Sequence, residues 1–371
     1  MKRPRTFKLA LDWTPNINHI GFFVAKEKEF YQEKGIDLEI ISPDTDNYEH
    51  SPAKKLELGL ADIALCPTES IISFRTKESS FNLIAIATLY QRDISAIAVR
   101  EDSQVNRPKD LDSRTYASYG ARYEDLIVKE LIKKDGGVGE LDIRYPDRLG
   151  VWNALIDQNL DATWIFLNWE GIQRPNFRFF KLEDYGIPYS YSPLIAVSHL
   201  LIDSDRDELR SFLSATKKGF LYAVNHPEES TNILKPYVPL KENNIDLIDS
   251  LEFSKDYFGD DETFGKIDPK VFDDHLKKSV PFYAEGHELI LRLSDFFLPD
   301  NSIFHCTCAV AWRVANQSIR VQKICFHGVL IGFSDFGFLN FICALYLVSR
   351  VPREEEVVVD EDGGGGGVVL P

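Results

Sequence analysis

Trp13 follows an alternating run, Phe7, Leu9 and Leu11, and its indole offers a flat face for a planar ring. Such stacking is worth about 1–3 kcal/mol; the alternative is core packing. His19, at the start of a predicted helix, either donates to an oxygen of a bound molecule or caps local backbone. Cys66-Pro67-Thr68-Glu69-Ser70 follows a predicted strand and opens a helix, with proline in the first turn. Free amides there, with the Thr68 and Ser70 hydroxyls, can hold a phosphate or a polar ring substituent, although Glu69 repels an anion; the same residues also suit a plain cap. Tyr119-Gly120-Ala121-Arg122-Tyr123 leads into another helix, and Arg122 is either a counter-charge for an anion or a solvated side chain. Asn168-Trp169-Glu170 supplies an amide and a carboxylate able to read the edge of a nitrogen heterocycle, unless Glu170 pairs with Arg174 on a surface helix. Tyr191, in Tyr189-Ser190-Tyr191-Ser192-Pro193, either lines the same space or packs. His305, Cys306, Cys308, Cys325 and His327 resemble fragments of a metal site but lack surrounding fold signals, so no metal is expected. No nucleophile elbow, Walker loop or His-Glu-x-x-His occurs.

Positioning these residues requires alternating strands and helices. Residues 7–12 alternate as a strand, Asn18 can cap a helix over 19–34 ended by Gly35, and 36–41 alternate again. The order β-α-β predicts a parallel sheet. One phrase occurs twice: a helix, a Gly or Asn, an Asp two or three residues on, then an apolar strand. It spans Leu56-Glu57-Leu58-Gly59-Leu60-Ala61-Asp62-Ile63 and Leu155-Ile156-Asp157-Gln158-Asn159-Leu160-Asp161-Ala162. Two similar α/β lobes explain the repetition. Strands are predicted at 94–99 and 194–197, and helices at 124–134, 205–226 and 246–258. The chain therefore crosses twice between lobes: lobe I is 1–93 plus 195–300, lobe II is 94–194, and the crossings form a hinge beside a cleft.

With 42 basic and 58 acidic residues, a net charge of −16 and 44% hydrophobic residues, the 371-residue chain is no collagen, coiled coil, disulfide miniprotein or simple nucleic-acid binder. Four of its five cysteines lie beyond residue 305, which offers no disulfide framework. No apolar leader follows the first residues, so the cytosol is the expected location, without nucleic-acid or membrane partners; a homodimer is compatible. Residues 301–371 form an atypical tail ending in a glycine run. Within it, 324–348 read as a membrane anchor, a packed extension or an aberrant non-domain sequence, the last being favoured because Asp335, His327 and several small residues interrupt the span.

Leu11-Asp12-Trp13-Thr14-Pro15-Asn16-Ile17-Asn18-His19, Ala25-Lys26-Glu27-Lys28-Glu29-Phe30-Tyr31, Glu33-Lys34-Gly35-Ile36-Asp37-Leu38 and Phe166-Leu167-Asn168-Trp169-Glu170-Gly171-Ile172 together resemble the thiamin-pyrimidine family. That family joins periplasmic-type binding proteins for pyrimidine precursors with a fungal hydroxymethylpyrimidine phosphate synthase. The resemblance covers roughly residues 6–300 and implies a two-lobed, type II periplasmic-binding-protein-like fold with a heterocycle in the cleft. It also implies that Glu170 and Asn168 face an aminopyrimidine, and that Arg122 lies near a phosphate-binding loop whose paired glycines are here reduced to Gly120. The synthase consumes its own histidine and a pyridoxal phosphate held by lysine, assisted by iron and a cysteine run. In this chain those positions fall at Cys66, Ser70 and Ser190-Tyr191-Ser192-Pro193-Leu194. A Schiff base needs an amine. The expectation is therefore a binding protein without a cofactor, the alternatives being the synthase, with pyridoxal phosphate and iron, or a paralogue that has lost its ligand.

Overall fold

The computed structural model describes residues 3–120, 124–146, 151–157, 160–172, 176–187, 189, 191–240 and 245–268. Arg122, Tyr123, Arg174, Ser190 and the whole tail from 269 lie outside these residues.

Phe7 and Leu9 are fully buried while Lys8 points outward, so the first strand, β1 (Arg5–Ala10), has the expected period of two. It lies parallel to β2 (Ile36–Ile41), Phe7 opposite Leu38, and to β3 (Ile63–Cys66), Leu9 opposite Ile63. The expected parallel sheet is in fact mixed. β10 (Leu194–Ser198), arriving from the other lobe, inserts antiparallel between β3 and β4 (Leu83–Thr88), giving the order β2-β1-β3-β10-β4. The second sheet repeats this plan: β6 (Arg114–Ala117) lies parallel to β7 (Leu141–Arg144) and β8 (Ala162–Phe166), while β5 (Ser95–Arg100), arriving from the first lobe, runs antiparallel between β8 and β9 (Phe177–Lys181). Each sheet thus receives one strand from the opposite crossing.

The repeated phrase has a physical role. Asp62 accepts the Lys8 amide at 2.9 Å, and Asp161 accepts the Thr115 amide at the same distance. In each lobe the aspartate before the third parallel strand, β3 or β8, extends the ladder by one side-chain bond to the neighbouring strand.

The helix expected over 19–34 is broken. α1 (Ile20–Glu27) and α2 (Phe30–Glu33) are separated at Glu29, whose φ is 59°. The cap also differs: Asn16, not Asn18, accepts an amide of the preceding turn, while Asn18 is buried among interior partners. Gly35 does end the segment, at φ 71°, a conformation that costs a side-chain-bearing residue more. The remaining α-helices among the described residues are α3 (Pro52–Glu57), α4 (Thr68–Thr76), α5 (Glu124–Lys134), α6 (Val151–Ile156), α7 (His199–Ser204), α8 (Arg206–Asn225), α9 (Pro227–Leu234) and α10 (Leu247–Phe258).

Lobe I has the larger core, in which Phe7, Phe22, Tyr31, Phe212, Phe220 and Phe258 are buried. There α1 crosses α8 so closely that a Cβ on Gly219 would meet the Gly21 carbonyl at 2.1 Å. Among the described residues, no helix is long and apolar enough to cross a membrane.

Candidate functional site

β1 and β3 of lobe I and β6 of lobe II end on the side where parallel strands of α/β sheets commonly present ligand-binding loops. Trp13, just beyond β1, is partly exposed. Its ring lies 5.5 Å from that of Tyr48, beyond β2, and 5.6 Å from that of Tyr119, beyond β6. The Trp13–Tyr119 contact is edge-on, at 87°, and joins the two lobes. Three aromatic residues from three strand ends therefore meet at the cleft.

His19 is fully buried. The Asn16 amide donates to Nδ1 at 3.2 Å, which places the ring proton on Nε2, and Nε2 donates to Asp12 at 2.8 Å. Both ring nitrogens are thus engaged within the chain. The structure shows the capping role for His19, and the group it orients toward the site is Asp12, whose side chain stays 19% exposed.

At the end of β3, Cys66 is buried, and burial pushes its thiol up, the nearby Asp12 and Glu69 carboxylates adding to the effect. Such a thiol is a poor nucleophile. Thr68 is buried and donates to the Tyr191 carbonyl at 3.1 Å, tying α4 to the returning crossing. Glu69 keeps part of its surface open, yet its Oε2 is enclosed and has no hydrogen-bond partner among the described residues. Burial pushes its carboxyl up to about 7. Asp93, on the outgoing crossing, accepts the Ser95 amide at 2.9 Å and is likewise pushed up to about 7 by burial, the charges of Glu183 and Glu69 contributing. The Tyr189 hydroxyl sits near both carboxyls and is held well above its ordinary range by burial and by their charge. The start of α4 and the outgoing crossing thus bring two enclosed acids together.

Tyr191 is 2% exposed; its hydroxyl accepts the Asp268 amide at 2.9 Å, so both its backbone and its ring tip are tied into lobe I. Asn168 is fully buried, with Nδ2 within 2.8–2.9 Å of Asn18, Tyr90 and Ser254, and its carbonyl accepts from Ser250. Trp169 packs in the lobe I core. Glu170 accepts the Phe166 amide at 3.1 Å, at the start of its own loop. The triplet expected to read a ring edge therefore also fastens lobe II to lobe I. Tyr119 is oriented by Glu124, which accepts its amide at 3.1 Å.

Sequence reasoning missed Asp12, Tyr48 and Asp93, and named Tyr189 only within the segment 189–193. Asp12 was legible as a charged residue at a strand end beside Trp13; Tyr48 and Asp93 reach the site only through the turn after β2 and the outgoing crossing. A separate concavity of about 450 Å³ lies along α8, where Lys217 and Lys218 are already paired with Asp261 and Glu33, each at 2.8 Å.

Among known proteins, the chain is similar to the formylaminopyrimidine-binding protein of Halalkalibacterium halodurans, 24% identical over 256 residues, covering 67% of this chain and 74% of that one. It is also similar to a 4-amino-5-hydroxymethyl-2-methylpyrimidine phosphate synthase of Saccharomyces cerevisiae, 20% identical over 259 residues, covering 63% and 72%. Its fold matches the alkanesulfonate-binding protein of Xanthomonas axonopodis pv. citri bound to MOPS, with a TM-score of 0.56 at 12% identity over 78% of this chain and 96% of that one. This likeness shows the two-lobed binding-protein fold expected from the sequence. Residues 16–230, more than half of the chain, match the NMT1/THI5-like family, and the chain belongs to it.

Proposed function

We propose that this protein is a cytosolic binding protein for a thiamin-type aminopyrimidine or a related flat heterocycle, taken up in the inter-lobe cleft. The observation carrying this reading is the edge-on contact of Trp13 with Tyr119 across the lobes, flanked by Tyr48. Aromatic faces around a crevice suit a planar nitrogen ring, and each stacked face contributes about 1–3 kcal/mol. Asp12, oriented by His19, and the enclosed Glu69 offer carboxyl groups suited to an exocyclic amine and ring nitrogens. Hinge motion about the two crossings would admit and enclose the ligand.

The residues present do not fit pyridoxal phosphate held as a Schiff base. Cys66 stands where the resemblance places the lysine, and it has no amine. Among the described residues, no group of three or more His, Cys, Asp or Glu could hold a metal ion. The thiol at position 66, in place of an amine, favours a binder over a synthase that works through a Schiff base there.

The test adds hydroxymethylpyrimidine, its formylamino precursor and pyridoxal phosphate in turn, following thermal shift and absorbance in the aldimine region. A saturable rise in Tm with a pyrimidine, without an aldimine band, is expected. A reducible aldimine accompanied by pyrimidine formation would overturn the reading.

A further inference from the structure

The loop that brings Tyr119 to the cleft is held by the chain's own carboxylates. Glu124, 6% exposed at the start of α5, accepts the Tyr119 amide through both oxygens, at 3.2 and 3.1 Å, and the Tyr116 hydroxyl at 2.7 Å. Asp125 accepts from Ser118 Oγ at 2.7 Å and from the Tyr145 hydroxyl at 2.8 Å, and Ser118 Oγ in turn accepts the Gly120 amide at 3.0 Å. Two consecutive amides of the turn before α5, at Tyr119 and Gly120, are therefore spent internally.

A helix start with free amides ordinarily favours an anion. Here two acidic side chains sit in that first turn, one of them buried, and their hydrogen bonds fix them in place. Their field acts locally: after burial, the charge of Glu124 is the main influence holding the Tyr116 hydroxyl well above its ordinary range, and Asp125 contributes. A phosphate beside Tyr119 would lie within a Debye length of both carboxylates, where salt screens them incompletely.

We propose that Glu124 and Asp125 are specificity-determining residues that restrict the cleft to uncharged or cationic heterocycles and reject their phosphate esters. This rests on the reading of the cleft as a heterocycle site and narrows it to the unphosphorylated class. Rejection is electrostatic: a phosphate beside Tyr119 meets negative charge, and the Tyr119 and Gly120 amides are already engaged.

Calorimetric titration with hydroxymethylpyrimidine and with its phosphate tests this on the full chain, in low and in moderate salt. The alcohol is expected to bind at least tenfold more tightly than the phosphate, with the gap narrowing as salt rises. In the Glu124→Gln/Asp125→Asn variant, in which the side-chain amide at position 124 keeps an acceptor for Tyr116 and Tyr119 and that at position 125 keeps one acceptor for Ser118 or Tyr145, the gap should shrink in low salt. A purely structural role would change both affinities together and leave their ratio and its salt dependence unmoved. Equal or tighter binding of the phosphate by the unmodified chain, the result expected if Arg122 supplies the counter-charge, would overturn the proposal while leaving the heterocycle reading intact. An unchanged ratio in a folded variant would also overturn it. If neither compound binds, the heterocycle reading falls, and this inference with it.

Discussion

Asn168 Nδ2, carried on the loop after β8 of lobe II, lies 2.8 Å from Asn18 Oδ1 in lobe I, inside a network completed by Tyr90, Ser254 and Ser250. The lobes are therefore joined by a buried polar latch as well as by the two backbone crossings. Trp169, packed in the lobe I core, anchors the same loop.

Removing the latch should loosen the molecule. Asn168→Ala strips Tyr90 and Ser254 of a buried donor, and a buried group left unsatisfied costs about 1–3 kcal/mol. Equilibrium denaturation is the check: a lower midpoint is expected, and unchanged stability would show that the network contributes nothing net.

Trp13→Ala should weaken pyrimidine binding by about 1–3 kcal/mol with little loss of stability, because the indole is partly exposed at the cleft. Calorimetry and a thermal melt, run together, separate the two effects. A large drop in Tm with unchanged affinity would assign Trp13 to packing.

Stability should fall as pH rises from about 4 to about 7 through the enclosed acids of α4 and the outgoing crossing. Glu69 and Asp93 have ordinary values of 4.5 and 3.8 but titrate at about 7 in the folded chain. Between those limits the folded state binds more protons than the unfolded state, so the unfolding free energy declines with pH, by up to about 1.4 kcal/mol per pH unit for each group, and levels off above 7. Chemical denaturation at pH 5, 6, 7 and 8 measures the slope. Glu69→Gln and Asp93→Asn should each flatten it; a slope that both variants leave unchanged would refute the assignment.

The α1–α8 crossing should not tolerate a side chain. Gly219→Ala would drive a methyl into the Gly21 carbonyl and the Ala25 Cβ, at 2.1 and 2.7 Å before relaxation. Overpacking of this kind costs about 1–3 kcal/mol, and a lower urea midpoint would register it.

The strands near 7–12, 36–41, 94–99 and 194–197, those after the repeated Asp phrase and the two-lobed fold were legible because buried alternation and that phrase are local patterns, whereas β4, β7 and β9 were not singled out. Phe7 and Leu9 against Lys8 report a half-buried strand without knowledge of its neighbours. The antiparallel insertion of β10 was not legible, since strand direction within a sheet depends on which lobe delivers the strand. The break at Glu29 was missed because the apolar residues on either side of it fit one helical face. At the site, Trp13 could be singled out from residue type and position alone. The roles of His19 and Asn168 could not, because each is decided by partners: Asp12 and the Asn16 amide for one, Asn18, Tyr90 and Ser254 for the other.

The sequence by itself determined an α/β chain in two lobes with an aromatic residue at a strand end, because side-chain periodicity and turn chemistry act over a few residues. Only the tertiary structure decided which polar groups stay available to a ligand. A hydrogen bond is settled by proximity in space, and folding had already engaged the imidazole of His19 and the amide nitrogen of Asn168 while leaving Glu69 Oε2 enclosed without a partner among the described residues.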